Sequence, residues 1–358
     1  MRNRRLTLVG QAFSLSMAFL MAAALPACGQ TLPSKMDSIF APLADARSPG
    51  MAVLVRSHGR TVFERGYGVR DLRASARIDA QTDFRLASCT KQFTAMAVML
   101  LVHDGKLQYG RTLGEIFPEF PAYGRAITVR QLLTHTSGLP DYEDLMDASW
   151  SAAHQIQDRE ALELIDHRSA GKFAPGTSWE YSNSGYVLLG LIVEKISGEP
   201  FGQFLHGRIF SPLHMNHTLV FVNGENRVPN RAYGHTRESG GFAETDQSST
   251  SATRGDGGVY SNLSDLAKWD DALTRHALLS EPEMAAALTP VTPANLYGFG
   301  WFLDPYQGHA RMWHYGETIG FGAVIDRFTA DQLTIVILCN RTDLDPAKLA
   351  LQVADLCR

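Results

Sequence analysis

Asp83-Phe84-Arg85-Leu86-Ala87-Ser88-Cys89-Thr90-Lys91-Gln92-Phe93-Thr94-Ala95-Met96 is the stretch on which the architecture turns. Asp83 to Leu86 reads as an extended approach. From Thr90 to His103 apolar residues are dense among good helix formers, until Asp104-Gly105, where glycine can take the left-handed cap. A buried helix is expected there. At its start Ser88 and Lys91 lie one turn apart on the same face, with the hydroxyl within reach of the amine. The helix N-terminus adds positive potential and free N–H groups, which favours an oxyanion near Ser88 and opposes a charged lysine. A neutral or proton-sharing Lys91 can then take the serine proton. The spacing alone is weak, because S-x-x-K should occur by chance roughly once in a chain of this size. The plain alternative is a capping serine followed by a surface lysine.

Upstream, Ala52 to Ser57 and Thr61 to Tyr67 are β-rich runs around His58-Gly59 and read as a hairpin. Downstream the chain is helical in patches: Val129 to His135, Arg159 to Arg168, Ser184 to Ser197 and Phe201 to Phe210. Strand character returns in Tyr297 to Leu303, Arg311 to His314, Gly320 to Phe328 and Gln332 to Cys339, and Pro346 opens a last helix. Strands, then helices, then strands predict an α/β body built from about 36–105 and 256–358, with a helical subdomain inserted over about 106–255. The Ser/Thr-rich stretch Gln247 to Thr253 reads as an exposed connection.

Two further constellations carry polar chemistry. Tyr181-Ser182-Asn183 follows Pro175-Gly176 and precedes the helix that begins near Ser184. A phenol near Lys91 is expected to have its pKa lowered by that charge and to carry protons, while the Asn183 amide can hold a substrate dipole. A helix entry capped by Ser182 or Asn183 is the structural alternative. His314-Tyr315-Gly316 ends a strand, with Glu317 next. Glycine at 316 lets another backbone approach, so an extended substrate can lie along this edge, with His314 offering a donor or positive charge and the Glu317 N–H completing an oxyanion hole. A plain sheet edge with an exposed histidine is the alternative.

Taken together and in this order, the three sets resemble the serine β-lactamase and penicillin-binding superfamily, most closely its branch of class C β-lactamases, D,D-carboxypeptidases and β-lactamase-like esterases. The likeness spans residues 36–340. It is supported by Phe84 to Thr94, Leu132-Leu133-Thr134-His135-Thr136-Ser137-Gly138-Leu139, Phe173 to Gly190, and Gly257-Gly258-Val259-Tyr260-Ser261 before Asp265-Leu266-Ala267. The resemblance implies a β-lactamase/D,D-peptidase-like fold, an antiparallel sheet flanked by helices. It also implies Ser88 as nucleophile, Lys91 as its activator, Tyr181 as the base that returns the proton to the leaving group, and Asn183 as a substrate ligand. The oxyanion hole would be the N–H groups of Ser88 and Glu317. Lys91 and Tyr181 are kept as a coupled pair. There is no E-x-x-L-N segment, in keeping with deacylation on the tyrosine side. Where the class C pattern carries Lys-Thr-Gly or Lys-Ser-Gly, this chain has His314-Tyr315-Gly316. Tyr315 replaces a small hydroxyl residue that would help hold a substrate carboxylate, and its bulk can narrow the site or block that contact.

Composition narrows the field further. At 358 residues and 45% hydrophobic content the chain can bury a sizeable core. A net charge of -4 without a dense Lys/Arg cluster argues against nucleic acid as a partner. Arg2, Arg4 and Arg5 precede a mostly apolar run from Leu6 to Ala27, the shape of a signal peptide over residues 1–29 cleaved before Gln30. Leu25-Pro26-Ala27-Cys28 loosely resembles a lipoprotein box in which Cys28 carries lipid, and an uncleaved anchor is the third reading, diluted by Gly10, Gln11, Ser14 and Ser16. The expected location is periplasmic or extracellular, with any membrane tether through the N-terminus. Cys89, Cys339 and Cys357 then remain. Cys339 and Cys357, at opposite ends of a strand and the helix packed back along it, are expected not to bond. No H-E-x-x-H or C-x-x-C suggests a metal, and no cofactor is implied. The absence of G-x-S-x-G argues against an α/β-hydrolase. His135 is read as structural and Cys89 as a small packed residue.

The expectation is therefore an exported serine hydrolase that cleaves amide or ester bonds of a small-molecule or peptidoglycan-like substrate through an acyl-enzyme on Ser88, D,D-carboxypeptidase-like or esterase-like. A class C-like β-lactamase is the alternative within that class. A non-catalytic penicillin-binding or cell-wall binding protein is the alternative outside it.

Overall fold

A computed structural model describes residues 31–43, 45–291 and 296–358. The leader expected over 1–29, with Cys28, lies outside the described residues. The central sheet draws on both ends of the chain. Strands β1 (Met51–Ser57) and β2 (Arg60–Tyr67) form the hairpin expected from the sequence, turning on His58 and Gly59 at φ 51° and 72°. Two successive left-handed residues match the twist of such a hairpin. From the far end come β3 (Arg311–Thr318), β4 (Phe321–Phe328) and β5 (Leu333–Cys339), and the order across the sheet is β3-β4-β5-β1-β2. Every pairing is antiparallel, with Met51 opposite Cys339 and Gly316 opposite Ala323. β3 is therefore an edge.

Alternation along these strands divides the sheet between two cores. Met51, Val53, Val55, Val324, Ile335 and Ile337 face helices α1 (Leu32–Phe40) and α5 (Pro346–Cys357), meeting Met36, Phe40, Ala350 and Val353. Ala52, Leu54, Ala323, Ile325, Val336 and Leu338 face the larger core around α2 (Lys91–His103), α3 (Asn183–Ser197) and α4 (Leu263–Thr274). Each large aliphatic side chain fully buried this way contributes roughly 1.5–3 kcal/mol of transfer free energy. α2 is buried along nearly its whole length and ends where expected, with Gly105 at φ 69°. No helix of the described residues is long and apolar enough to cross a membrane.

Between 106 and 255 the helices Val129–Leu133, Asp158–Asp166, α3 and Phe201–Leu205 appear, the last continuing into a π-helical turn, His206–Phe210. The same stretch also carries short strands at Leu219–Val220, His235–Glu238 and Gly241–Glu244, so it is not purely helical. The expected strand Tyr297 to Leu303 is reduced to bridges joining Tyr297 to Phe302 and Phe302 to Trp313. Its glycines explain the difference. Gly300 takes φ 76° and sits so close to α2 that a Cβ there would lie 2.7 Å from the Lys91 carbonyl oxygen.

Candidate active site

Ser88 occupies a tight 3-10 turn, Ala87–Thr90, that runs directly into α2. Ala87 enters it at φ 46°, an uncommon conformation for a residue with a Cβ, while the Leu86 N–H donates to the Val259 carbonyl and the Cys89 N–H to that of Leu86. In a 3-10 turn the side chains at i and i+3 eclipse. Ser88 and Lys91 are accordingly stacked, with Nζ 3.1 Å from Oγ. Lys91 is fully buried, and Nζ also donates to Oδ1 of Asn183 at 2.8 Å and to the Asp256 carbonyl at 3.0 Å. Burial lowers its pKa to about 8, against the opposing pull of Asp256, Asp141 and Glu143. The surface-lysine alternative is thereby removed.

Tyr181 is brought to the same point by the loop before α3. Ser182 caps that helix by accepting the Gly185 N–H at 3.2 Å, and its own N–H donates to Nδ1 of His135 at 3.1 Å. The His135 ring, buried and held neutral by that burial, packs 4.4 Å from the Tyr181 ring, so it supports the tyrosine from behind. The expectation that Lys91 lowers the Tyr181 pKa fails. Burial holds the phenol well above its ordinary range, outweighing the Ser88 hydroxyl, which acts to lower it. Lys91 Nζ lies over the face of the ring, 4.9 Å from its centroid, in a cation–π arrangement. The Tyr181 hydroxyl, beside Ser88, makes no hydrogen bond of regular geometry among the described residues. Asn183 is committed on three sides: Oδ1 to Lys91, Nδ2 to Glu143 at 3.1 Å, and its N–H to Asp141 at 2.8 Å.

The third set closes the cleft. Gly316 presses β3 against the Ser88 turn so tightly that a Cβ there would lie 2.1 Å from the Leu86 carbonyl oxygen and 3.1 Å from the Ser88 nitrogen. Cys89 Sγ donates to the His314 carbonyl at 3.2 Å, tying the two segments. Glu317 lines the same cleft as Ser88, Glu143, Asn183 and Asp256. His314 corrects a further expectation, since it offers no positive charge. It is fully buried, and burial, then the Lys91 charge, lowers its pKa to about 3. Its Nδ1 faces the Tyr315 carbonyl, an acceptor, so Nδ1 carries the proton and Nε2 accepts the Tyr297 hydroxyl at 3.0 Å. Tyr315 projects to the other side of β3, 42% exposed, its ring stacked 6.1 Å from Phe302 at the rim.

Sequence reading missed Asp141, Tyr142, Glu143, Asp256 and Tyr297. Tyr142 donates to Oδ2 of Asp256 at 3.0 Å, and burial pushes Glu143 up to about 7, with Asp256 and Asp141 adding to the rise. A signal was present, for Asp141-Tyr142-Glu143 follows the Thr134 to Leu139 run after Pro140 alone. Among the described residues, Cys89, Cys339 and Cys357 form no disulfide with one another.

The family model described as Beta-lactamase matches residues 36–357. The chain belongs to the beta-lactamase family. Within this family of serine β-lactamase- and penicillin-binding-like hydrolases, the chain is similar to penicillin-binding protein 4* of Bacillus subtilis (strain 168), 30% identical over 326 residues, 86% of this chain and 72% of that protein. A penicillin-binding protein from Bacillus halodurans superposes with a TM-score of 0.78 at 25% identity, covering 92% of this chain and all of that one. A D-amino acid amidase from Ochrobactrum anthropi SV3 shares the fold, with a TM-score of 0.77 at 24% identity over 90% of this chain and 98% of the other. Beta-lactamase family members thus share the mixed α/β architecture, an antiparallel sheet with flanking helices, found here.

Proposed function

We propose that this protein is an exported serine hydrolase that cleaves amide or ester bonds through an acyl-enzyme on Ser88, of D,D-carboxypeptidase-like or esterase-like activity. The observation that carries the reading is the contact of 3.1 Å between Ser88 Oγ and a fully buried Lys91 whose pKa is lowered to about 8. A fraction of Lys91 is then neutral near pH 7 and can accept the serine proton as Oγ attacks the carbonyl carbon. The oxygen that becomes negative would be met by the N–H groups of Ser88 and Glu317, on segments that Gly316 holds together. Tyr181, kept protonated by burial, is suited to pass a proton to the leaving amine or alcohol and to be refilled from Lys91. Water then enters, gives its proton to the same pair and releases the acid, restoring Ser88.

A class C-like β-lactamase is the second reading. The neutral His314 and the tyrosine at 315 weigh against it, since neither supplies the cation and small hydroxyl expected to hold a β-lactam carboxylate. Export rests on the leader over residues 1–29, with lipidation at Cys28 as its variant.

The test is intact-protein mass spectrometry of the protein and its Ser88→Ala variant after exposure to a fluorescent penicillin, a fluorophosphonate and p-nitrophenyl butyrate, with product release followed in parallel. A Ser88-dependent adduct or turnover is expected. No adduct and no turnover with any probe would leave a non-catalytic binding protein.

A further inference from the structure

A second groove, of about 450 Å³, runs between β3 and the start of α5. That volume is in the range of small-molecule sites, roughly 300–1,000 Å³. Tyr315 stands opposite Val324 on β4, so with Trp313 and Glu317 it shares the face of the sheet that carries α1 and α5, while Gly316 on the opposite face presses on the Ser88 turn. Leu344, Pro346 and Ala347 form the facing wall. Gly322, paired with Glu317, carries no side chain and leaves the floor between them open. Tyr315, 42% exposed, thus holds an aromatic ring over an unfilled, largely apolar space.

Two observations join this groove to the reacting centre. Glu317 lines both it and the Ser88 cleft, so the two spaces meet at the residue whose N–H is expected to face the oxyanion. Phe302, bonded backbone to backbone with Trp313, places its ring 6.4 Å from that of Tyr181 and nearly parallel to it, and 6.1 and 5.1 Å from those of Tyr315 and Trp313. Tyr181 is the residue suited to protonate the leaving atom, and a row of rings leads from it to the groove. The groove is unsuited to an anion. Its charged groups, Glu317 and Asp345, are both acids, and no Lys, Arg or His among the described residues lines it. Nor does the N-terminus of α5 substitute for a cation, since Asp345 already accepts the Lys348 N–H at 2.9 Å and Pro346 has no N–H to offer.

We infer that the leaving group of the substrate is an uncharged, apolar alcohol or amine of ring size, and that it seats in this groove against Tyr315 and Trp313. The inference rests on the acyl-enzyme reading of Ser88. Within that reading it favours the esterase-like branch, because the amino acid that a D,D-carboxypeptidase releases carries a carboxylate. As Ser88 Oγ bonds to the carbonyl carbon, the serine proton passes to Lys91, the bond to the leaving oxygen or nitrogen breaks, and Tyr181 gives that atom its proton. Tyr315 takes no part in these transfers and acts on which leaving group is held.

The experiment compares kcat/KM of the full chain on ethyl acetate, 2-phenylethyl acetate and 4-acetoxybutyrate, while a fluorophosphonate reports Ser88 separately. All three esters form the same acetyl-enzyme, so kcat/KM isolates the step in which the alcohol leaves. 2-Phenylethyl acetate should be preferred over ethyl acetate by about 10- to 10²-fold, and the anionic 4-acetoxybutyrate should be the slowest. Tyr315→Ala should cut the phenylethyl-to-ethyl ratio by about fivefold, and Tyr315→Phe should keep it. Ala347→Trp, which fills the groove from the helix side, should lower the ratio as well and keeps the test open should Tyr315→Ala not fold. A ratio that survives in either folded variant overturns the inference, as does a preference for 4-acetoxybutyrate. A gain from phenyl on the acyl side, in ethyl 3-phenylpropionate, that Tyr315→Ala removes also overturns it, by seating the acyl group in the groove. A Ser88 adduct with a ratio near one leaves the acyl-enzyme reading standing without the inference, whereas no adduct and no turnover brings both down.

Discussion

Lys91 holds its Nζ 3.1 Å from Oγ of Ser88 with no exposure to solvent, so the state of one amine governs the nucleophile. Its pKa of about 8 sets a direction for pH dependence. Below that value the amine is protonated and cannot take the serine proton; above it the amine is free. Log kcat/KM should therefore rise with a slope near one up to about pH 8 and level off beyond. Glu143 is among the charges that hold the ammonium form in place, so Glu143→Gln should move this limb to lower pH. A pH–rate profile of both proteins on p-nitrophenyl butyrate checks the sign. A limb that moves upward or stays fixed argues against Lys91 as the group titrating.

Tyr181→Phe should lower kcat by about two to four orders of magnitude, the usual cost of losing general acid/base help, while the limb near pH 8 persists. The separation follows from the phenol's own titration, which burial moves far above the working range. Since the hydroxyl makes no regular hydrogen bond, its loss should leave the urea midpoint nearly unchanged. Wild-type turnover in the variant would make Tyr181 a packing residue only.

The sequence-derived outline survives in the parts where local chemistry and tertiary packing agree. The hairpin on His58-Gly59, the buried α2 and the three C-terminal strands all follow from period, turn residues and apolar density. So does the meeting of Ser88 with Lys91, since three residues on one turn leave little freedom. Charge and orientation were not legible. Whether His314 is a cation depends on its burial and on Tyr297, seventeen residues upstream, neither of which its neighbours in sequence disclose. Proximity of Tyr181 to Lys91 predicts a lowered pKa, but the full burial that raises it is set by packing from distant parts of the chain. Asp256 lies within a run of glycines, and only the folded chain sets its carbonyl on Lys91 and its side chain in the cleft.

Tyr297 joins three parts of the site without touching the cleft itself. Its ring packs 4.5 Å from His135 and 6.4 Å from Tyr181, and its hydroxyl donates to Nε2 of His314. Tyr297→Phe leaves that buried nitrogen without a donor, at a cost of about 1–3 kcal/mol. A lower urea midpoint with an unchanged m-value is the expected result, accompanied by a smaller fall in kcat than Tyr181→Phe causes. If the midpoint is unchanged, the hydrogen bond contributes nothing to the fold.

Gly316 supplies the sharpest test of the geometry around the nucleophile. A methyl group at this position would need the space of the Leu86 carbonyl oxygen, 2.1 Å from the ideal Cβ, and would sit 3.1 Å from the Ser88 nitrogen. Both contacts are backbone, so neither can yield by a change of rotamer. β3 must move away from the Ser88 turn, stretching the Cys89 contact to the His314 carbonyl, and as an edge strand paired within the sheet with β4 alone it can do so without unfolding the sheet. Gly316→Ala should therefore separate the N–H groups of Ser88 and Glu317 while Lys91 keeps its contact with Ser88, which lies wholly on the other side of the gap. Displacement by about an ångström at such a site costs on the order of 10²-fold in rate. The expected result is a fall of that size in kcat/KM, with the limb near pH 8 unmoved and circular dichroism unchanged. Retention of full activity would mean that β3 does not help to hold the developing oxyanion.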